Sequence, residues 1–276
     1  MLDQEQFAFT YNNSPSERLS NLSPIQFFEL THNSFMENSP VKLRENLPYS
    51  IYEQIPFLKL IESFLHLIQQ EGFIKQTPTG RIPVKTLKLL YEKNHIIDEY
   101  IESGINRLSS EDYWPVIIAV KVVSKKAGLT RIEKNKIVLV KKNLAYLDPK
   151  NRESLFRAIY LSYSEEFNWA YFDGYPNVPV GQYGVNFTIY LLLKYGKTYR
   201  KDSFYAERYL KGYPNFANEF DDEHFTVEEY FNSCYSLRSF DKFTNWFGFT
   251  NTQEITHREK EIIATELLFK IFILDI

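Results

Sequence analysis

Three times in this chain an apolar helical stretch closes on a glycine that is followed at once by an apolar residue and a short strand-forming run: Gly72-Phe73, Gly128-Leu129 and Gly248-Phe249. Glycine supplies the left-handed backbone conformation that ends a helix. A hairpin placed directly after it covers the open end of a helical core. A helix that ends at Gly and feeds a two-stranded ribbon is the back half of a winged-helix unit. The recurrence predicts a mainly α (α+β) fold, with two or three winged-helix-like units carrying short β-hairpins on a shared helical core. The plainer alternative is three helix-to-strand junctions in an α+β protein.

Between these points the chain divides into four stretches. Residues 1–50 read as an irregular lead-in with a short helix from Pro24 to about Leu30, where Ser23-Pro24 offers an N-cap and a proline at the first helical position. Residues 51–105 read as a first winged-helix-like unit. Phe57, Leu60, Ile61, Phe64, Leu65 and Ile68 recur at three- and four-residue steps, one buried helical face. A short strand (Phe73 to Thr77), the turn Pro78-Thr79-Gly80 and a second helix from Pro83 follow. Residues 106–150 read as a second, basic unit. Its helix spans about Glu111 to Lys126, and two strands flank the polar connection Glu133-Lys134-Asn135, which makes a hairpin. Residues 151–276 read as a C-terminal helical region with a third hairpin. Within it Thr226 and Glu229 form a capping box.

Apolar residues make up 44% of the 276, enough for a sizeable core, so general disorder is excluded. Aromatic residues reach 17%, which predicts ring-filled cores. The single cysteine, Cys234, can form no internal disulfide and excludes a zinc site built on several thiolates. No signal-peptide pattern opens the chain and no run approaches the ~20 apolar residues of a membrane span. The expectation is a cytoplasmic protein without a membrane partner.

Chemistry-bearing motifs are scarce. Gly196-Lys197-Thr198 copies the end of a phosphate-binding loop, but Leu191 stands where that loop needs its first glycine. The oxygen-rich stretch Asp221, Asp222, Glu223, His224, Glu228 and Glu229 matches no metal-loop spacing and reads as a charged turn before a helix cap. No catalytic residue, metal site or cofactor is predicted.

The one positive lead is charge. From Lys121 to Arg152 ten Lys/Arg stand against Glu133 and Asp148, a balance of +8 within a chain of net charge -3. On a winged helix, cations along the hairpin and its adjoining helix would meet phosphates. Lys125, Lys126, Arg131, Lys134, Lys136, Lys141 and Lys142 are the candidates. The bland readings are a solvated basic face, helix-dipole compensation at Lys125 and Lys126, or an acidic protein partner. A second unusual run, Asn168 to Tyr175, holds four aromatics around Asp173-Gly174. It reads as a fixed loop packed on the core, with a pocket lined by Trp169, Tyr171, Asp173 and Tyr175 as the sharper alternative.

The stretch from Pro56 to Tyr91, with its helix, "IKQTPTGRIP" turn and second helix, resembles a bacterial family without an assigned activity. So do "AGLTRIEKNKIVLVKK", "FNWAYFDGYPN", "YGKTYRKDSFYAERYLKGYP" and "CYSLRSFDKFTNWFGF". Parts of it are similar to the helical portion of plasmid ORF-3-like and SEC-C-containing proteins. The resemblance covers most of residues 40–250 and implies no catalytic residues. Gln76 stands where that pattern has Leu, and Leu144 near where it has Gly after the hairpin. Together these readings predict a non-enzymatic binding protein that touches nucleic acid through 121–152. The alternatives are a protein-interaction module or an enzyme with its pocket near 169–175.

Overall fold

The computed structural model describes residues 4–171, 173–256 and 259–276. The fold is mainly helical with small antiparallel sheets. Among the described residues the strands are β1 (Val41–Leu43), β2 (Ile74–Lys75), β3 (Thr130–Glu133), β4 (Lys136–Leu139), β5 (Arg200–Lys201), β6 (Thr250–Thr256), β7 (Glu259–Ala264) and β8 (Phe272–Leu274). None of the described helices is long and apolar enough to cross a membrane.

The chain forms two compact units. A middle unit comprises Asn46–Phe167, and a split unit joins Met1–Glu45 to Asn168–Ile276.

In the middle unit the helix Pro56–Glu71 begins with proline at its first turn and buries Phe57, Leu60, Ile61, Phe64, Leu65 and Ile68, the stripe its spacing predicts. There follow β2, the helix Val84–Tyr91, the helix Val116–Lys126, β3 and β4. The sheet order is β2-β4-β3, with Ile74 opposite Ile137 and Lys75 opposite Lys136. This pairing joins strands from either side of residue 105. The segments 51–105 and 106–150 share one sheet and one helical core, so Gly72 and Gly128 belong to a single unit. A two-residue strand has no independent stability; β2 exists because β4 supplies its partner.

The split unit runs through the same succession. The helix Val185–Tyr195 leads to β5, then the helices Asp202–Gly212 and Val227–Ser236, then β6 and β7. The last of these helices widens into a π-helical stretch, Leu237–Thr244, before β6. Its sheet order, β5-β7-β6, matches that of the middle unit. The two helix-to-hairpin junctions agree in detail. Gly128 and Gly248 have φ of 69° and 73°. The following amides, of Leu129 and Phe249, donate to Ser124 O at 2.9 Å and Thr244 O at 2.7 Å. The glycine carbonyls accept from Asn143 Nδ2 at 2.8 Å and Thr265 Oγ1 at 2.7 Å. Each junction thus satisfies the last free carbonyls of its helix.

Residues 1–50 are less irregular than predicted. Helices occupy Gln4–Asn13 and Pro24–His32, the latter opened by a capping box between Ser23 and Gln26. β1 pairs with β8, Val41 opposite Leu274, so the first strand depends on residues more than two hundred positions away. The core of the split unit is built of rings, as the composition predicts. Tyr209 lies 4.7 Å from Tyr213 and 4.8 Å from Tyr235, ring centre to ring centre. Its hydroxyl donates to Tyr183 O at 2.5 Å and accepts from Gly181 N at 3.1 Å, so the polar end of the ring is not left bare.

Candidate nucleic-acid interface

The β3–β4 hairpin turns on Lys134 and Asn135, both in the left-handed region with φ of 47° and 63°. That is a two-residue type I′ turn, whose twist suits a hairpin. Asn135 tolerates the conformation and also anchors it. Its Nδ2 donates to Gln76 O at 3.0 Å and Thr77 O at 3.2 Å, while Gln76 N donates to Asn135 O at 2.9 Å. The Gln76 side chain in turn donates to Gly80 O at 2.6 Å. The tip of the hairpin is therefore tied to the turn Pro78-Thr79-Gly80.

Two of the ten cations between 121 and 152 are consumed internally. Lys121 lies 2.7 Å from the buried Glu111 carboxylate, which also accepts from Ile82 N at 2.5 Å. Arg152 donates to Glu62 at 2.8 Å and also pairs with Glu53. These are pins for the loop 78–82 and for the helix Arg152–Leu161, not surface charge.

The seven candidates fall into two groups. At the base of the hairpin, Val140 N donates to Leu129 O and Asn143 to Gly128 O, which brings Lys141 and Lys142 beside the end of the helix carrying Lys125 and Lys126. At the tip lie Lys134 and Lys136, while Arg131 stands partway along the hairpin, opposite Val138. Four-residue strands, about 13 Å long, separate base from tip. Lys125, Lys134, Lys141 and Lys142 are exposed and make no ion pair among the described residues. Lys126 lies 3.7 Å from Glu166, and Arg131 2.6 Å from Glu133. The Lys136 ammonium sits 3.8 Å above the centre of the Phe73 ring. Sequence reasoning missed Lys75, an exposed cation placed beside Lys136 by the β2–β4 register. The only signal was its position in a short strand; the partner strand lay sixty residues further on.

The helix Val116–Lys126, which precedes the hairpin, presents little that could read bases. It has no Arg, Asn or Gln. Val116, Ile117, Ala119, Val120, Val123 and Ser124 are buried, and the π-turn Ser162–Glu166 packs against it. Its counterpart in the split unit, Val227–Ser236, opens with Glu228 and Glu229. These border a cleft of about 290 Å³ with Asp202, Glu207, Glu259 and Phe225. Among the described residues no group of His, Cys, Asp and Glu is arranged to hold a metal ion. The two units thus differ in sign. The middle one holds 18 Lys/Arg against 14 Asp/Glu and the split one 14 against 21, balances of +4 and -7.

The aromatic loop is held by a buried ion pair. Asp173 and Arg238 have side chains without exposure, and the guanidinium contacts both carboxylate oxygens, Nε at 2.7 Å and Nη2 at 3.2 Å. Arg238 also donates to Val178 O at 2.5 Å and Pro176 O at 3.0 Å, and Lys242 lies 3.6 Å from Asp173. Burial acts to raise the Asp173 pKa, but the bonds and charge of Arg238 outweigh it and hold the carboxyl below its ordinary range. Burial also pulls Lys242 below the usual amine value. Trp169 is buried with its ring 5.0 Å from Phe243, Tyr175 packs 5.4 Å from Tyr230, and Tyr171 is exposed. Phe172 lies outside the described residues. Of the four loop candidates, Asp173 is thus committed to Arg238, a partner 65 residues away that sequence spacing did not reveal. Burial pushes the Cys234 thiol up to about 12, which leaves it un-ionised at neutral pH.

No family model, curated protein or solved structure matches this chain.

Proposed function

We propose that the middle unit is a winged-helix module that holds nucleic acid by its phosphates, in the cytoplasm, and that the protein is not an enzyme. The observation that carries this reading is the set of exposed lysines, Lys125, Lys134, Lys141 and Lys142, without ion-pair partners at the two ends of one anchored hairpin. The order of helices and strands and the β2-β4-β3 sheet support the winged-helix reading. The apolar character of the helix Val116–Lys126 assigns no base-specific role to it, so the contact is one of charge and spacing. Fluorescence anisotropy of a labelled duplex against salt tests the reading. Affinity should fall linearly on a log–log plot, with a slope of about -0.9 for each phosphate engaged. No retention at low salt removes it.

A second reading concerns the split unit. Its balance of -7 and its acidic cleft favour a basic protein segment as partner, and it repels a polyanion. Cross-linking and pull-down with the Glu228→Lys, Glu229→Lys variant as control tests it. A partner held equally by both proteins would count against the cleft.

A further inference from the structure

The outward face of the β2-β4-β3 sheet carries more than charge. From Phe73 into β2 the residues alternate, Ile74 buried between exposed Phe73 and Lys75. The register puts Lys75, Lys136 and Glu133 in one row across the sheet, and Arg131 opposite Val138 in the next row on that face. Phe73 is 38% exposed although it is a large apolar ring on a solvated face, and it lies under the Lys136 ammonium at 3.8 Å. Lys136 thus covers one accessible ring, Lys75 stands beside it on the same face, and Arg131, paired with Glu133, lies one strand further across the sheet.

We infer that this face binds single-stranded nucleic acid, with an unpaired base stacked on Phe73 and the adjoining phosphates held by Lys75 and Lys136. The inference rests on the phosphate-binding reading above and names the form of nucleic acid that this face takes. A ring framed by cations is complementary to a ligand that offers a flat π-face and anions a few ångströms away. An unpaired nucleotide offers both. A duplex keeps its base faces inside the stack and offers the sheet only phosphates. The ammonium of Lys136 already occupies the site above the ring, so an incoming base displaces a cation onto the phosphate that accompanies it. The anchored turn, with Asn135 bonded to Gln76 and Thr77, holds the cations in place before the strand arrives.

The test uses the full chain with a labelled oligothymidylate and a hairpin duplex of the same number of nucleotides, at one salt concentration. The oligothymidylate should bind more tightly. Phe73→Leu should weaken it roughly tenfold and leave the duplex unchanged, because one base stack is lost and no charge is altered. Phe73→Tyr should retain the binding, and Lys75→Gln with Lys136→Gln should weaken both ligands. Phe73 is exposed, so its truncation opens no core cavity; an unchanged melting curve verifies this. If Phe73→Leu leaves both affinities unchanged, stacking is overturned while phosphate binding by the hairpin stands. If the unmodified protein retains neither ligand, both readings are overturned.

Discussion

The segments 56–139 and 185–264 pass through the same helices and strands, close their last helix with the same glycine junction and order their three strands alike, yet they spend their buried polar groups differently. In the middle unit the core mixes aliphatic side chains, Ile117, Val120, Val123, Leu60 and Ile61, with buried rings such as Phe57, Phe64, Trp114, Tyr160 and Tyr163. Its internal ion pairs, Lys121 with Glu111 and Arg152 with Glu62, lie toward the rim and leave the remaining lysines outside. In the split unit the core is made of tyrosine and phenylalanine rings, and an arginine and an aspartate with no exposure are sealed among them. The lesson is that a shared topology fixes where a hairpin stands and says little about what its surface attracts. That is decided by which charges the interior withdraws.

The largest expected effect tests whether the units are separately stabilised. Arg238→Ala removes both guanidinium bonds from the buried Asp173, leaves it the more distant Lys242, at 3.6 Å, and should destabilise the split unit by about 3–5 kcal/mol. Hydrogen exchange followed by mass spectrometry should show faster exchange in 168–276 with the amides of 56–139 unchanged. Simultaneous loss of protection in both would mean that they fold as one. Next in size, replacing Lys134, Lys141 and Lys142 by Glu should lower affinity for a labelled duplex about a hundredfold at low salt. Glu228→Lys with Glu229→Lys should not lower it, and a fall of equal size there would erase the functional contrast between the units.

A smaller effect probes what the units have in common. Gly128→Ala and Gly248→Ala each force a side chain into the left-handed region and should cost about 1–2 kcal/mol in thermal unfolding. Clearly unequal costs would show that the junctions are alike in outline only. At Gly128 the new Cβ would also stand 3.3 Å from Asn143 Nδ2. The smallest effect is on the acid limb. The Asp173 carboxyl is held below its ordinary pKa in the folded chain, so its stabilisation is complete above the ordinary carboxylate range. It is lost as the pH falls through the lower, folded value. Denaturant midpoints measured toward acid pH should therefore fall for the split unit, and Asp173→Asn should flatten that dependence.

How far these features could be read from sequence follows from their range along the chain. The stripe from Phe57 to Ile68, the N-cap at Ser23, the capping box at Thr226 and the hairpin at Lys134-Asn135 are set by residues within a turn or two of each other, so local pattern exposes them. The pairing of β2 with β4 and of β1 with β8 is not local. Nothing near Ile74 marks Ile137 as its partner, and nothing near Val41 marks Leu274, so neither sheet is legible from the sequence. Lys121 and Arg152 counted as free charges for the same reason, since Glu111 and Glu62 come from other elements. Asp173 stood out by its setting, but the residue that fixes it, Arg238, lies inside a helical stretch with nothing to mark it.

The arrangement of the two units along the chain also has a consequence for the timing of synthesis. Every residue of the middle unit has been made once the ribosome reaches Phe167, whereas β1 waits for β8, at Phe272–Leu274, before its sheet can close. At ordinary elongation rates that interval is on the order of ten seconds. The basic hairpin is thus complete while the acidic stretch 168–276 is still being translated, and it meets its surroundings before that stretch can fold.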